Sequence, residues 1–125
     1  MISQSEFFNK ELRTGLIRIL VILKKEAKMN TYIILMKLTA QGAKDLKGAP
    51  KRVEDGIKGF EKMGGKVIGF YSTLGQYDYV SIGEAPNDEV AATFSLALSS
   101  LGNVSTTTLR AFTTKEFASM IKKLP

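Results

Sequence analysis

Phe70-Tyr71-Ser72-Thr73-Leu74-Gly75-Gln76-Tyr77-Asp78-Tyr79-Val80-Ser81-Ile82 reads as two alternating strand patterns joined across a tight Gly-Gln turn, and that hairpin decides the fold. Working upstream, Lys66 to Thr73 is the second strand of the chain and Tyr77 to Glu84 the third. Gly64-Gly65 closes a preceding helix at the position where left-handed backbone is wanted. Val53, Ile57, Phe60 and Met63 line one face of that helix, and Pro50 suits its first turn after the Gly48-Ala49 break. A short helical turn is expected between Thr39 and Lys47, and Thr31 to Leu38 is nearly continuous in apolar residues, the mark of a central strand buried on both faces.

Downstream, Ala85-Pro86 ends the third strand and Asn87 caps a helix with Asp88 and Glu89 in its first turn. Val90, Phe94, Ala97, Leu98 and Leu101 mark its buried face, and Gly102-Asn103 stops it. Val104 to Phe112, with consecutive threonines at 106 to 108, is the fourth strand. Thr113 and Glu116 fit a capping box that opens a last helix, expected to bury Phe117, Met120 or Ile121, and Leu124. The order strand, helix, strand, strand, helix, strand, helix gives an α+β fold: a ferredoxin-like split βαββαβ sandwich with a four-stranded antiparallel sheet and an added C-terminal helix.

Composition bounds the chemistry. The 125 residues are one domain's worth, and 44% hydrophobic content supports a single modest core. With no cysteine and no histidine, the chain has no disulfide, thiol nucleophile, Cys-ligated metal or imidazole base. No metal ligand set is expected, and no cofactor. The net charge of +6 divides evenly, since residues 1–28 hold six Lys/Arg and three Asp/Glu. In the main part, Lys44, Lys47, Lys51, Arg52, Lys58 and Lys62 alternate with Asp45, Glu54, Asp55 and Glu61, as a solvated helix face does.

Residues 1–28 form an N-terminal extension, helical or poorly ordered, ahead of a domain at 29–125. Phe8, Leu12, Leu16, Ile19, Leu20, Leu23 and Ala27 recur at helical spacing, with Gly15 as the weak point. The run Ile19 to Leu23 is too short to span a bilayer, and Arg18, Lys24, Lys25 and Lys28 around it do not suit a secretory signal. A cytoplasmic location is expected. The extension reads either as an arm that packs on a neighbour or a membrane surface, or as an upstream extension of the reading frame that contributes little. The second is favoured.

In this fold both helices cover one face of the sheet, so the open face decides between functions. Alternation places Val80 and Ile82 under the helices with Ile68, Phe70, Leu109 and Ala111. It sends Tyr77, Tyr79, Ser81, Val67, Gly69, Tyr71, Thr106, Thr108 and Arg110 to the open face, with Ile33, Leu35 and Lys37 from the first strand. Such a face is too apolar to stand bare, so a homodimer or higher homo-oligomer through it is expected, enclosing a cavity. Lys37 and Arg110 there call for an anionic partner: a carboxylate or phosphate ligand, an acidic side chain such as Glu84 or Asp78, or solvent at the barrel ends.

Residues 29–124 resemble the GYD-domain proteins, small bacterial and archaeal proteins of unassigned activity. The signature Leu-Gly-x-Tyr-Asp stands here as Leu74-Gly75-Gln76-Tyr77-Asp78. Further matching blocks are Pro50-Lys51-Arg52, Gly64-Gly65-Lys66, Phe70 to Thr73, Glu84-Ala85-Pro86, Leu101 to Val104 and Leu109 to Thr113. The family is similar to the dimeric α+β barrel superfamily, which includes cofactor-free monooxygenases, stress-responsive barrel proteins and the effector domains of leucine-responsive regulators. Those effector domains have a similar Gly-x-Tyr/Phe-Asp hairpin and bind amino acids near subunit interfaces, so the resemblance implies a dimeric barrel.

Three function classes compete. The leading one is a noncatalytic or weakly catalytic dimer that binds an anionic organic ligand with Lys37, Tyr71, Tyr79, Thr106, Thr108 and Arg110. The alternative is a cofactor-free monooxygenase or isomerase with Tyr or Lys as base. The sequence leaves open whether the chain is an enzyme. Nucleic-acid binding fits poorly, because Tyr77 to Ile82 lacks the basic-Gly-aromatic pattern of base-stacking sheets. In the signature hairpin, Gly75 serves the turn, Tyr77 is a strand former at a seam, and Asp78 accepts backbone hydrogen bonds. Gly56 and Gly59 read as packing contacts.

Overall fold

A computed structural model describes residues 2–26 and 28–125, the side chains of 21–26 excepted. The elements run α1 (Gln4–Glu26), β1 (Asn30–Leu38), α2 (Ala40–Ala43), α3 (Ala49–Lys62), β2 (Lys66–Ser72), β3 (Tyr79–Ala85), α4 (Asp88–Leu101), β4 (Val104–Ala111) and α5 (Thr114–Ile121). The four strands form one antiparallel sheet in the order β2-β3-β1-β4, consistent with the ferredoxin-like arrangement.

Local chemistry sets the element ends. Thr39 caps α2, its hydroxyl accepting from the Gly42 N–H, and Asn87 caps α4 by accepting from the Val90 N–H. Pro50 stands in the first turn of α3, where a missing N–H costs nothing. Gly64 and Gly102, at φ of +91° and +82°, terminate α3 and α4. Thr113 and Glu116 complete the capping box of α5, each bonding the other's backbone N–H at 3.1 Å. A similar pair at the start of α1, Ser3 with Glu6, is legible in the sequence only in retrospect.

The compact core is small. Tyr32, Phe60, Ala85 and Ala91 form its buried cluster, with Val67, Val90 and Phe94 packed against it. It sits at the Tyr32 end of β1, where the Phe60 and Phe94 rings meet at 4.8 Å.

One expectation about apolar side chains fails. In α5, Phe117, Met120 and Ile121 are 57, 39 and 47% exposed rather than buried, and Leu124, just beyond the helix, is 65% exposed. The helix face of the sheet is already taken by α3 and α4, and α5 is held at its N-terminus by Glu116 beside Arg110, not by its apolar stripe. Along α1 the helix continues through Gly15, yet Phe8, Leu12, Leu16, Ile19 and Leu20 all remain exposed. Ala27 and the side chain of Leu23 lie outside the described residues. Among the described residues no helix is long and apolar enough to cross a membrane.

Candidate functional site

Cross-strand register settles which side chains share a face, because directly paired residues of antiparallel strands point the same way. The buried side chains Tyr32, Ile34 and Met36 lie under the helices. Their partners on β3 are Gly83, Ser81 and Tyr79, and on β4 Arg110, Thr108 and Thr106. The face predicted for Tyr79, Thr106, Thr108 and Arg110 is therefore corrected: all four stand on the helix side. Lys37 and Tyr71 are on the open face, paired with Ser105 and Val80. The six residues expected to line one cavity are divided between the two sides of the sheet.

The cause of the inversion is the Phe60 ring. A Cβ on Gly83 would come within 3.1 Å of Phe60 Cε2, and one on Gly65 would overlap the same ring. β3 therefore turns its small row, Ser81, Gly83 and Ala85, toward the helices and its branched row, Val80 and Ile82, outward. On β2 a register break between Val67 and Gly69 has the same effect, so Val67 packs on the core while Ile68 is 52% exposed. The available signal was Glu84, a charge in the Val80/Ile82 row, which marks that row as the open one.

Under the helices Thr108 and Arg110 are occupied. Thr108 Oγ1 lies 2.6 Å from Ser95 Oγ of α4. Arg110 donates to Asn30 Oδ1 at 3.0 Å and to the Thr31 and Ala111 carbonyls, lies 3.8 Å from Glu116, and stacks on Phe112 with its guanidinium 4.5 Å from the ring centre. The Thr113 backbone N–H holds the Glu116 carboxyl below the usual carboxylate range, helped by the Thr113 hydroxyl, Lys28 and Arg110. Burial, and then the hydrogen bond to Asp88, push the Tyr32 hydroxyl above its ordinary value. That hydroxyl donates to Asp88 Oδ1 at 2.5 Å and accepts from Asn30 at 3.2 Å.

The signature hairpin is a fastening. Its connection is wider than a two-residue turn: Ser72 pairs with Tyr79, and Thr73 donates from its N–H to the Asp78 carbonyl and from its hydroxyl to the Tyr77 carbonyl. Gly75 carries φ of +100°, where a Cβ would be strained. Asp78 reaches beyond the hairpin to β1, its carboxylate accepting from the Leu38 N–H at 2.7 Å while its own N–H donates to the Met36 carbonyl at 2.8 Å. Lys37 lies over the Tyr77 ring at 5.4 Å.

Two surfaces result. On the open face, Ile33 pairs with Ile82 and Leu109, and Leu35 with Val80, giving an aliphatic patch across three strands. Leu109 and Tyr71 are 44 and 57% exposed at its flanks. On the helix side, α3 and α4 leave a half-open cavity of about 490 Å³ over Ile34, Met36, Phe70, Tyr79 and Leu98, and Tyr32, Phe60, Ala91 and Phe94 of the compact core line its other end. Gly56 and Gly59 of α3 also line it, and a Cβ at either would meet nothing within 4 Å. They are not packing contacts within this chain, although each weakens the helix by about 1 kcal/mol relative to Ala. Among the described residues, no group of three or more His, Cys, Asp and Glu side chains could hold a metal ion.

The geometry defines an open-faced α+β domain with an apolar surface on one side of its sheet and an apolar cavity on the other. The GYD domain model matches residues 32–121, and the chain belongs to the GYD domain family. A relative from Thermus thermophilus, named glutamine synthetase and cystathionine beta-lyase binding protein, is 35% identical over 95 residues, covering 75% of this chain and 100% of that protein. No solved structure matches the chain.

Proposed function

We infer that this chain is a binding protein whose targets are folded proteins, and that it works as a homodimer with two open sheet faces stacked on each other. The observation that carries this reading is the aliphatic patch of Ile33, Leu35, Val80, Ile82 and Leu109. An apolar surface of that kind on a sheet is covered in a stable soluble protein. A symmetric pairing closes it because the patch is self-complementary in chemistry. The stacked faces amount to the dimeric α+β barrel, with Lys37 and Tyr71 at the seam. The name of the Thermus relative supports enzymes of nitrogen and sulfur amino-acid metabolism as the class of partner. An anionic ligand on the open face is less well supported than the sequence implied, because Arg110 stands on the other side with Asn30 and Glu116 as partners.

The test is light scattering on the purified full chain, paired with Leu35→Glu. The wild type is expected to be dimeric or larger, and Leu35→Glu to give a monomer with an unchanged far-UV circular dichroism spectrum. Immobilised wild-type protein should also retain glutamine synthetase or cystathionine beta-lyase from the same organism. A wild type that is monomeric at working concentration, or a Leu35→Glu variant that assembles normally, overturns the dimer. Failure of the assembled protein to hold either enzyme overturns the partner class.

A further inference from the structure

We propose that the cavity between the sheet and helices α3 and α4 is a binding site for a small, flat, uncharged and largely apolar molecule. It lies on the opposite side of the sheet from the proposed dimer seam and is independent of it. Its volume of about 490 Å³ falls within the range of small-molecule pockets, and its walls are mostly apolar side chains from all four strands and from helices α3 and α4.

Three observations point to the class of occupant. Gly56 and Gly59 open the α3 wall down to its backbone, yet apart from the backbone of α3 itself nothing comes within 4 Å of where their Cβ atoms would be. A flat body lying against α3 uses that space, and a larger side chain there would exclude it. Among the described residues one arginine lines the cavity, Arg52, and it is neutralised: it donates to the Gly42 and Asp45 carbonyls at 3.2 and 2.8 Å and lies 3.4 Å from the Asp45 carboxylate. An anionic ligand would find no free positive charge on it, and the lining carboxylate, Asp55, is paired with Lys51 at 2.9 Å, so a neutral one is favoured. The facing wall is aromatic, with Phe70 and Tyr79 tilted at 39° and 5.3 Å apart, a surface suited to a ring.

The probe is Nile red, a neutral flat dye, titrated into the full-length protein and followed by emission, with the sulfonated dye 1-anilinonaphthalene-8-sulfonate as the charged comparison. Saturable binding of one Nile red per chain is expected, at least tenfold tighter than the sulfonate. Gly59→Phe should weaken Nile red at least tenfold while its melting temperature stays at or above that of the wild type. Leu35→Glu should leave Nile red affinity unchanged, since the site does not use the seam. Equal affinity in wild type and Gly59→Phe overturns the proposal, as does equal or tighter binding of the sulfonate. Loss of binding in Leu35→Glu also overturns it, because the dye would then sit between sheets. A rise in dye uptake in a Leu12→Asp/Leu16→Asp double variant would do so too, by making helix α1 the natural occupant.

Discussion

Replacing Asp78 by alanine isolates what the family signature does in this fold. The backbone bonds of residue 78, from its N–H to the Met36 carbonyl and from the Thr73 N–H to its carbonyl, survive the change. Only the half-buried carboxylate bond to the Leu38 N–H, 2.7 Å long, is lost. A hydrogen bond to a charged acceptor contributes about 1.5–3 kcal/mol, and the abandoned N–H adds desolvation cost, so the upper half of that range, about 2–3 kcal/mol, is expected. Asp78→Asn keeps an acceptor oxygen without the charge and should lose about 1 kcal/mol. For a domain of this size each kcal/mol lowers the melting temperature by about 4 °C, which places Asp78→Ala about 8–12 °C below wild type. The assay is urea unfolding followed by circular dichroism at one protomer concentration, since assembly contributes to apparent stability. A midpoint shift with an unchanged slope is expected. An Asp78→Ala loss under about 0.5 kcal/mol would refute the fastening argument, because that is the scatter of surface substitutions. Equal losses for Ala and Asn would show that the carboxylate acts through its charge and not through this bond.

Gly75→Ala should cost about 1–2 kcal/mol from backbone strain alone. At φ of +100° the new Cβ meets nothing within 4 Å, so an unchanged urea midpoint would refute the strain argument. Tyr32 supplies a pH test. Its folded-state pKa is raised above the ordinary 10.0, so the stability it contributes is fully present below about pH 10 and is lost as pH rises through the folded value. Tyr32→Phe, which deletes the bond to Asp88, should lower stability by about 1.5–3 kcal/mol at neutral pH and flatten the alkaline fall, measured as melting temperature against pH. An equally steep alkaline fall in Tyr32→Phe would refute the assignment.

The elements and their ends were legible because each depends on residues close in sequence. Thr39, Asn87, Thr113 with Glu116, Gly64 and Gly102 act within a turn of where they stand, and the hairpin around Gly75 brings β2 and β3 together locally. The order of elements then leaves few topologies, and the sheet order β2-β3-β1-β4 is consistent with the one expected.

The faces were not legible, for a physical reason. A period of two separates the side chains of a strand into two rows but does not say which row lies under the helices. On β3 the apolar content of Val80 and Ile82 pointed to the core, while the room needed by the Phe60 ring over Gly83 put them outside. On β4 the placement of Thr106, Thr108 and Arg110 follows from pairing with Met36, Ile34 and Tyr32, far away in the chain, and no local residue encodes that register. The open space beside Gly56 and Gly59 has the same character, since the cavity they line is bounded by strands and a helix far away in the chain. Sequence alone determined the order of elements, the caps at Asn87 and Thr113 and the glycine stops of α3 and α4. Tertiary packing decided which side of the sheet each candidate residue serves, because bulky rings and long-range strand pairing act across the fold and not along the chain.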